Sequence, residues 1–448
     1  DDVESRGLGD VYKRQVTYLS RADWNGTFPK TYSGLTANAT VSRLLNNDLY
    51  TLKTDDDVSD LIFGDTTSTL TINDMKNAPY DDPRWEELVN KVTVAEFLDF
   101  SANAFHNIQG IASVNMPQKA ADDGPGGSDS HYLNEGGYQG VPYADAADYT
   151  SGTRVAPSPV NLAYAWNKEL AFENGEIILG ESTLVLDLPI MIGPGMNIHR
   201  HAYNARGVEY YSEDPILSGY VGSAVVQGAQ SKGTLVNIKH MGFNDQEHNR
   251  AGISAYMTEQ KFRETDLRGF EGALSDAFGM GVMIAFNRIG ATNASHHVGM
   301  IQKIVRGEWG FKGLISTDMM NNYLYFNAES MVMAGITQVA DFAADNSHIN
   351  LGEGGVDAVW PHISLETVSK DSNLVEQARE NLKYQLYIFA NSAILNISTQ
   401  RVNTWWDTAL TVTTYASSIL AVLFFLAWVV LTLLPEKKPV VVRVENKR

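Results

Sequence analysis

Four short apolar runs, Leu184–Ile192, Thr234–Ile238, Gly281–Ala285 and Gly313–Ile315, constrain this chain more than any other feature. Each is bounded by Gly or Pro and is too short for a typical helix, which marks it as a buried strand. Helical stretches lie between them. One covers about Thr258–Phe278, with Phe262, Leu267, Phe270, Leu274 and Phe278 on one side, and another about His296–Trp309. Upstream, Pro83 followed by WEELVNKVTVAEFLDF reads as a single helix, with Trp85, Leu88, Val92 and Leu98 near the 3.6 period and Asp81 or Asp82 as its cap. Strand–helix units in series predict a parallel sheet, and this length favours its closure. The expected fold class is α/β, a (β/α)8 TIM-like barrel. No G-x-G-x-x-G comes after a strand and no G-x-x-x-x-G-K-[ST] occurs, so a nucleotide-binding open sheet loses support.

Each apolar run gives way to polar residues. Leu184–Ile192 leads into GPGMNIHR, with Asn197, His199 and Arg200. Thr234–Ile238 ends in Lys239–His240, Gly281–Ala285 in Phe286–Asn287–Arg288, and Gly313–Ile315 in Ser316–Thr317–Asp318. One charged residue after a strand is ordinarily a helix cap or a solvated loop group. Four clusters at successive strand ends point to one face of a barrel, where active sites are built.

Composition narrows the chemistry. The 448 residues include no Cys, which removes disulfides, zinc–thiolate sites, iron–sulfur clusters and cysteine nucleophiles. His296–His297 fit neither H-E-x-x-H nor an i, i+4 pair, so no metal and no cofactor is expected. The net charge of −19 argues against nucleic acid as a partner. That charge is uneven. Residues 435–448 carry +3, the rest −22, and between them Ala409–Leu434 has no charged residue over 26 positions. A helix of that length covers about 39 Å, enough for a hydrocarbon core of ~30 Å. A transmembrane helix is expected there, with 435–448 as a basic cytoplasmic tail and the acidic body outside, at a bacterial plasma membrane.

At the other end, residues 1–15 (DDVESRGLGDVYKRQ) show no periodicity and read as a foreign or artefactual leader; the chain starts with Asp and has no signal-peptide stretch in its first thirty residues. Residues 16–80, rich in Asn, Asp, Thr and Ser, read as a junction or wrapping segment, and 81–405 as the barrel domain.

The motifs DDGPGG, APSPVNLAYAWNKELA, GPGMNIHR, ARGVEYYSEDPILSG, KHMGFNDQEHNR, VMIAFNRIG and RGEWGFKGLISTDM occur in that order between about Asp81 and Asn396. Together they resemble the barrel of glycoside hydrolase family 3. The resemblance implies a retaining exo-glycosidase acting on β-glucosides or β-xylosides of oligosaccharides or glycosides. It assigns the nucleophile to Asp318, the Asp of the family's T-D motif. A carboxylate at that point is chemically apt, because Asp is ionised at neutral pH and a retaining mechanism needs an ionised carboxylate for covalent attack. The resemblance also implies substrate contacts from Asp123, Arg206, Lys239, His240 and Arg250, with Met283, Phe286 and Met319 at further site positions. Glu209, Glu213 and Asp214 are carboxylates as well, but the E-D-P turn reads more simply as a salt-bridge or cap element.

Three positions depart from the family pattern. Phe286 stands where many members have Tyr, Met319 where many have Trp, and GFNDQEHNR where the N-acetylglucosaminidase branch has G-D-x-x-x-D-S-H. The last makes a hexosaminidase improbable. In much of the family the general acid is a Glu from an α/β-sandwich domain. Tyr18–Pro29 (YLSRADWNGTFP) looks like the junction of a permuted arrangement with that domain first. The expectation is therefore an N-terminally truncated, membrane-anchored chain whose acid/base lies in a missing N-terminal sandwich domain. A β-xylosidase or arabinosidase and a non-catalytic membrane-tethered sugar-binding protein are the competing readings.

Overall fold

The computed structural model describes residues 37–61, 63–102, 107–124, 157–181, 184, 188–201, 204–244, 246–248, 250, 253–319, 327–340, 370–395 and 405–434. The expected leader 1–15, the Tyr18–Pro29 segment, the second half of DDGPGG and the tail 435–448 lie outside them. The chain divides into two units, Asp1–Ile397 and Ser398–Arg448.

In the first unit the four apolar runs are strands of one sheet. In chain order its strands are β1 (Asn107–Ile108), β2 (Lys119–Asp123), β3 (Ile190–Gly195), β4 (Leu235–Met241), β5 (Gly281–Ile284) and β6 (Leu314–Thr317), hydrogen-bonded in that order. From β2 to β6 every pairing is parallel. Both faces of such strands are covered, so β3, β4, β5 and β6 are buried throughout. Side chains alternate across the sheet as the pleat requires. Val236, Ile238, Val282, Ile284 and Ile315 face an outer core with Phe270, Leu274, Met300 and Ile304. Leu235, Ile190, Met283 and Leu314 instead join a second core with Trp85, Leu382 and Phe389.

The sheet curls. A parallel bridge of Ser316 with Gln338 extends it beyond β6, and there the Val339 N–H donates to the Ser101 carbonyl at 2.7 Å, six residues before β1. The described sheet is thus a half barrel of a TIM-like fold, not the closed ring of eight parallel strands expected. Its first strand is also antiparallel to β2. The reason is the connection: only Gln109–Gln118 joins β1 to β2, which is too short for a crossover carrying a helix.

Other boundaries moved for identifiable reasons. The helix expected after Pro83 is two, Arg84–Lys91 and Val94–Ala102. Val92 is extended, and Thr93 with Glu96 forms a reciprocal cap (Thr93 N–H to Glu96 Oε2 at 3.0 Å, Glu96 N–H to Thr93 Oγ1 at 3.2 Å) that starts the second helix. The Thr258–Phe278 stretch is a run of alternating α and π turns from Glu259 to Asp276. The Leu184–Ile192 run supplies a strand only from Ile190 onward. Of the segment 16–80, Ile72, Met75 and Ala78 are buried in the second core.

That segment is pinned by one buried carboxylate. Asp371 caps the helix Ser372–Ala390 by accepting the Leu374 N–H at 3.0 Å. It also accepts the Tyr50 hydroxyl at 2.8 Å and the Lys53 N–H at 2.7 Å. Burial and the neighbouring Asp371 push the Tyr50 phenol up to about 12. Replacing Asp371 with Ala removes the cap and leaves one buried and two half-buried donors without this acceptor, for an expected loss of about 2–4 kcal/mol of stability. Urea unfolding of Asp371→Ala beside Asp371→Asn, which keeps one acceptor, measures this; Asp371→Asn should lose about half as much.

The second unit contains the helix Trp405–Leu433. Within it Thr408–Leu433 contains an 18-residue window with a mean hydropathy of 2.4, with side chains exposed in the chain itself. By length and composition it is a helix able to cross a membrane.

Candidate active site

The inward side chains at the carboxyl ends of the strands converge on a cavity of about 170 Å³. Asp123 reaches it from β2, Lys239 and His240 from β4, Asp318 from just after β6, and Arg206 and Arg250 from the loops after β3 and β4. Met283 and Met319 also line it. Phe286 is buried behind Arg250, whose guanidinium lies 4.4 Å from the ring centroid. The structure therefore brings together all the residues expected at the site, with Phe286 supporting a neighbour and not lining the cavity itself.

Lys239 and His240 were expected beyond the end of a strand, yet both lie within β4. Successive residues of a regular strand point to opposite faces. Here the pairing of β4 with β5 shifts register between Ile238 and Met241, and such an irregularity re-aims side chains, so both neighbours reach the cavity. The Lys239–His240 peptide is cis. Asn197 holds this stretch through both backbone groups of His240, accepting its N–H at 2.7 Å and donating to its carbonyl at 2.8 Å.

Lys239 is almost fully buried, so its ammonium must be paired. Its Nζ lies 2.5 Å from Asp123 Oδ1 and 3.2 Å from Glu209 Oε1. Burial alone would pull its pKa down; the two carboxylates outweigh that and hold it above the usual lysine value. Arg206 binds Glu209 through two hydrogen bonds, of 2.5 and 2.7 Å. Burial raises the Glu209 carboxyl, but Lys239 and Arg206 overcome it and keep the group below its ordinary value. Glu247 pairs with Arg250 at 3.1 Å and lies 3.8 Å from Arg206.

Glu209 is thus a salt-bridge element, as expected, and the two cations it holds line the cavity. Its neighbour Asp214 does cap a helix, Pro215–Gln230, accepting the Ile216 N–H at 2.7 Å. Tyr210, Asn244 and Glu247 were not singled out from the sequence. Asn244 donates to the Tyr210 oxygen at 2.7 Å and to Glu247 at 3.0 Å, and Tyr210 stands edge-on to His240. The only sequence signal for them is their position inside ARGVEYYSEDP and KHMGFNDQEHNR.

Asp318 is held from behind. Its N–H donates to the Ile284 carbonyl at 3.0 Å, and its Oδ1 accepts the Met319 N–H at 2.8 Å. The other oxygen, Oδ2, is buried without a hydrogen-bond partner. It lies 3.6 Å from His240 Nε2 and 3.9 Å from Arg250 Nη1. Burial raises the Asp318 pKa, while Arg250, the Met319 N–H, Arg206 and Lys239 oppose the rise without cancelling it. Burial also lowers His240 far below its ordinary value, reinforced by Arg206, Lys239 and Arg250, so the ring is neutral. The geometry offers one under-coordinated carboxylate oxygen at the wall of a cavity ringed by fixed cations and hydrogen-bonding groups.

The buried histidines set a pH dependence. His296, bonded to the backbone of Asn327, is pushed by burial down to about 3. An unfolded chain protonates both His240 and His296 near ~6.5, whereas the folded one does not, so stability is lost as pH falls below ~6.5. Each contributes at most about 1.4 kcal/mol per pH unit. Asp318, raised in the fold, works in the opposite sense at lower pH, since the folded state takes up that proton first. Burial lowers His297 as well, so the unfolding free energy should fall steadily from pH 6.5 to 4.5, and His296→Gln should reduce the slope by about a third to a half whatever it does to the absolute value; chemical denaturation across that range reads it.

Residues 131–339 match the model of the glycosyl hydrolase family 3 N-terminal domain. The probable β-glucosidase K of Emericella nidulans is 32% identical over 238 residues, covering 53% of this chain and 26% of that protein. The exo-α-(1→6)-L-arabinopyranosidase of Bifidobacterium longum is 31% identical over 221 residues, covering 49% and 28%. Among solved structures, β-glucosidase 3B from Thermotoga neapolitana superposes with a TM-score of 0.56 at 26% identity, covering 71% of this chain and 44% of that one. The chain therefore spans about a quarter of the length of the curated relatives it matches. Residues 131–339 are thus similar to a glycosyl hydrolase family 3 N-terminal domain, and the chain has β-glucosidase homologues.

Proposed function

We propose that this glycoside hydrolase family 3 chain is the barrel of a retaining exo-acting β-glycosidase, most simply a β-glucosidase, that removes terminal sugars from oligosaccharides or glycosides. The observation that carries this reading is the unpartnered Oδ2 of Asp318 facing the cavity. In the proposed reaction that oxygen attacks the anomeric carbon as the glycosidic bond breaks, giving a glycosyl ester and a leaving oxygen that takes a proton. Water then cleaves the ester with net retention. Arg250, Arg206 and Lys239 oppose the rise that burial causes in the Asp318 pKa and so favour the ionised nucleophile. Asp123 would accept hydrogen bonds from sugar hydroxyls, while Lys239, Arg206, Arg250 and neutral His240 present donors, and Met283 and Met319 give apolar contact.

The proton for the leaving oxygen comes, in this reading, from elsewhere. Asp123, Glu209 and Glu247 are each ion-paired in the described site, which suits them to bind and orient but not to donate a proton. The acid would be a carboxylic acid of the sandwich domain that the family resemblance places beside the barrel. General-acid help is commonly worth ~10²–10⁴-fold, so this chain alone should act poorly on cellobiose and better on aryl glycosides with good leaving groups. Ala409–Leu434 would anchor it, with the basic residues after it in the cytoplasm and the acidic body outside.

A 2-deoxy-2-fluoroglucoside with a good leaving group should label Asp318 covalently and stoichiometrically, as read by peptide mass spectrometry, and Asp318→Asn should lose at least ~10³-fold in turnover. No label at Asp318 in a chain that still binds glucose would favour a non-catalytic sugar-binding role. The arabinopyranosidase relative supports a second reading in which the sugar is a pentopyranose. Rates on a panel of aryl β-glucoside, β-xyloside and α-L-arabinopyranoside decide between them.

A further inference from the structure

Tyr210 is fully buried next to His240 and does not line the cavity. Its backbone bridges to Gly195 at the end of β3, and its carbonyl bonds with His199 Nε2 at 2.9 Å. A Cβ at Gly195 would lie 2.6 Å from Tyr210 Cδ1, so glycine there leaves the room that the ring fills. The phenol oxygen lies 2.7 Å from Asn244 Nδ2 and 3.5 Å from His240 Nδ1.

Each proton in this series has one place to go. Asn244 Nδ2 also donates to Glu247 Oε1 at 3.0 Å, and the other amide orientation would turn the Asn244 oxygen onto that carboxylate. Glu247 therefore fixes the amide, and Asn244 Oδ1 is left buried without a hydrogen-bond partner. With one Nδ2 hydrogen on Glu247, the other reaches the Tyr210 oxygen, which accepts it. Burial raises the Tyr210 phenol far above its ordinary value, so it keeps its own proton, and that proton is left for His240 Nδ1. A neutral imidazole has one donor and one acceptor nitrogen, and the bond made by one sets the state of the other. Nδ1 accepts, so the hydrogen of neutral His240 sits on Nε2, 3.6 Å from Asp318 Oδ2. Both contacts of the His240 ring are long, and what passes along the series is the choice of tautomer. The opposite tautomer would set a lone pair against the unpartnered carboxylate oxygen.

We propose that Tyr210 and Asn244 are positioning residues: oriented by Glu247, they hold His240 in the tautomer whose Nε2–H faces Asp318. The tautomer itself is independent of any activity, and its chemical consequence rests on the glycosidase reading. When the glycosyl ester is cleaved, water bonds to the anomeric carbon and the C1–Oδ2 electron pair returns to Oδ2. The water's proton goes to the conjugate base of the group that protonated the leaving oxygen. His240 Nε2–H then meets the returning negative charge with a fixed donor, an interaction stronger in the transition state than in the ester.

The test is nitrogen-15 NMR of the full chain labelled in histidine, with the His240 signals identified by their loss in His240→Gln. The wild type should show Nδ1 as an unprotonated and Nε2 as a protonated ring nitrogen. Tyr210→Phe, which keeps the ring and removes the hydroxyl, should give a mixture of the two tautomers. A wild-type ring protonated on Nδ1, or a Tyr210→Phe ring with the wild-type tautomer, overturns the proposal, and the wild-type measurement needs no variant. Rates give a second readout. After labelling with a 2-deoxy-2-fluoroglucoside, reactivation by azide, which needs no general base, should be about tenfold slower in Tyr210→Phe, with the Kd for glucose within about threefold of the wild type. Unchanged reactivation, or glucose binding weakened as much as reactivation is slowed, marks Tyr210 as structural and overturns the positioning role. Failure of the wild type to form the ester overturns the glycosidase reading alone, since the nitrogen shifts are read without substrate.

Discussion

The buried ammonium of Lys239 is the constraint on which the site depends. A charge in that position is tolerated only if it is paired. Its partners come from places far apart in the chain: Asp123 at the end of β2 and Glu209 in the loop after β3. Satisfying one lysine therefore fixes two further elements against β4. Glu209 extends the set to Arg206, which approaches Glu247, and Glu247 holds Arg250 against Phe286. The result is a connected chain of alternating charges whose last cation approaches Asp318 Oδ2. Removal of one member would leave the others as uncompensated buried charges, which explains why so many charged groups are held in so small a space.

The same network sorts the carboxylates by role. Asp123, Glu209 and Glu247 are each engaged by a cation. Asp318 differs, because one of its oxygens is fixed by a backbone N–H and the other has no hydrogen-bond partner. His240, kept neutral by burial and the surrounding cations, adds a hydrogen-bonding ring without a second positive charge beside the nucleophile. Environment, not residue type, distinguishes four acidic side chains within one site.

Legibility in the sequence tracked the range of the interactions concerned. Strands β3, β4, β5 and β6 were visible because burial on both faces demands apolar runs, and the sheet order accords with right-handed strand–helix repeats. Antiparallel β1 was not visible, since a two-residue strand has no periodicity. The break at Val92–Thr93 was missed because the apolar period continues across it, although the Thr93-x-x-Glu96 cap was there to be read. Residues of the site were legible where a motif carried them, as with Asp318, Lys239 and Arg250. Glu209 was legible as a salt-bridge element, and its partner Arg206 is local, but its contact with Lys239, 30 positions on, is recorded in no local pattern.

The sequence by itself determined the chemistry available: no thiol, an acidic body, an apolar stretch before a basic tail, and polar clusters at the ends of buried strands. It did so because composition, periodicity and short motifs are local properties. Tertiary structure alone decided which carboxylates are neutralised, which is left under-coordinated, and that Lys239 and His240 both reach one cavity. Those outcomes depend on burial and on pairing between strands distant in the chain, and neither quantity belongs to any single segment.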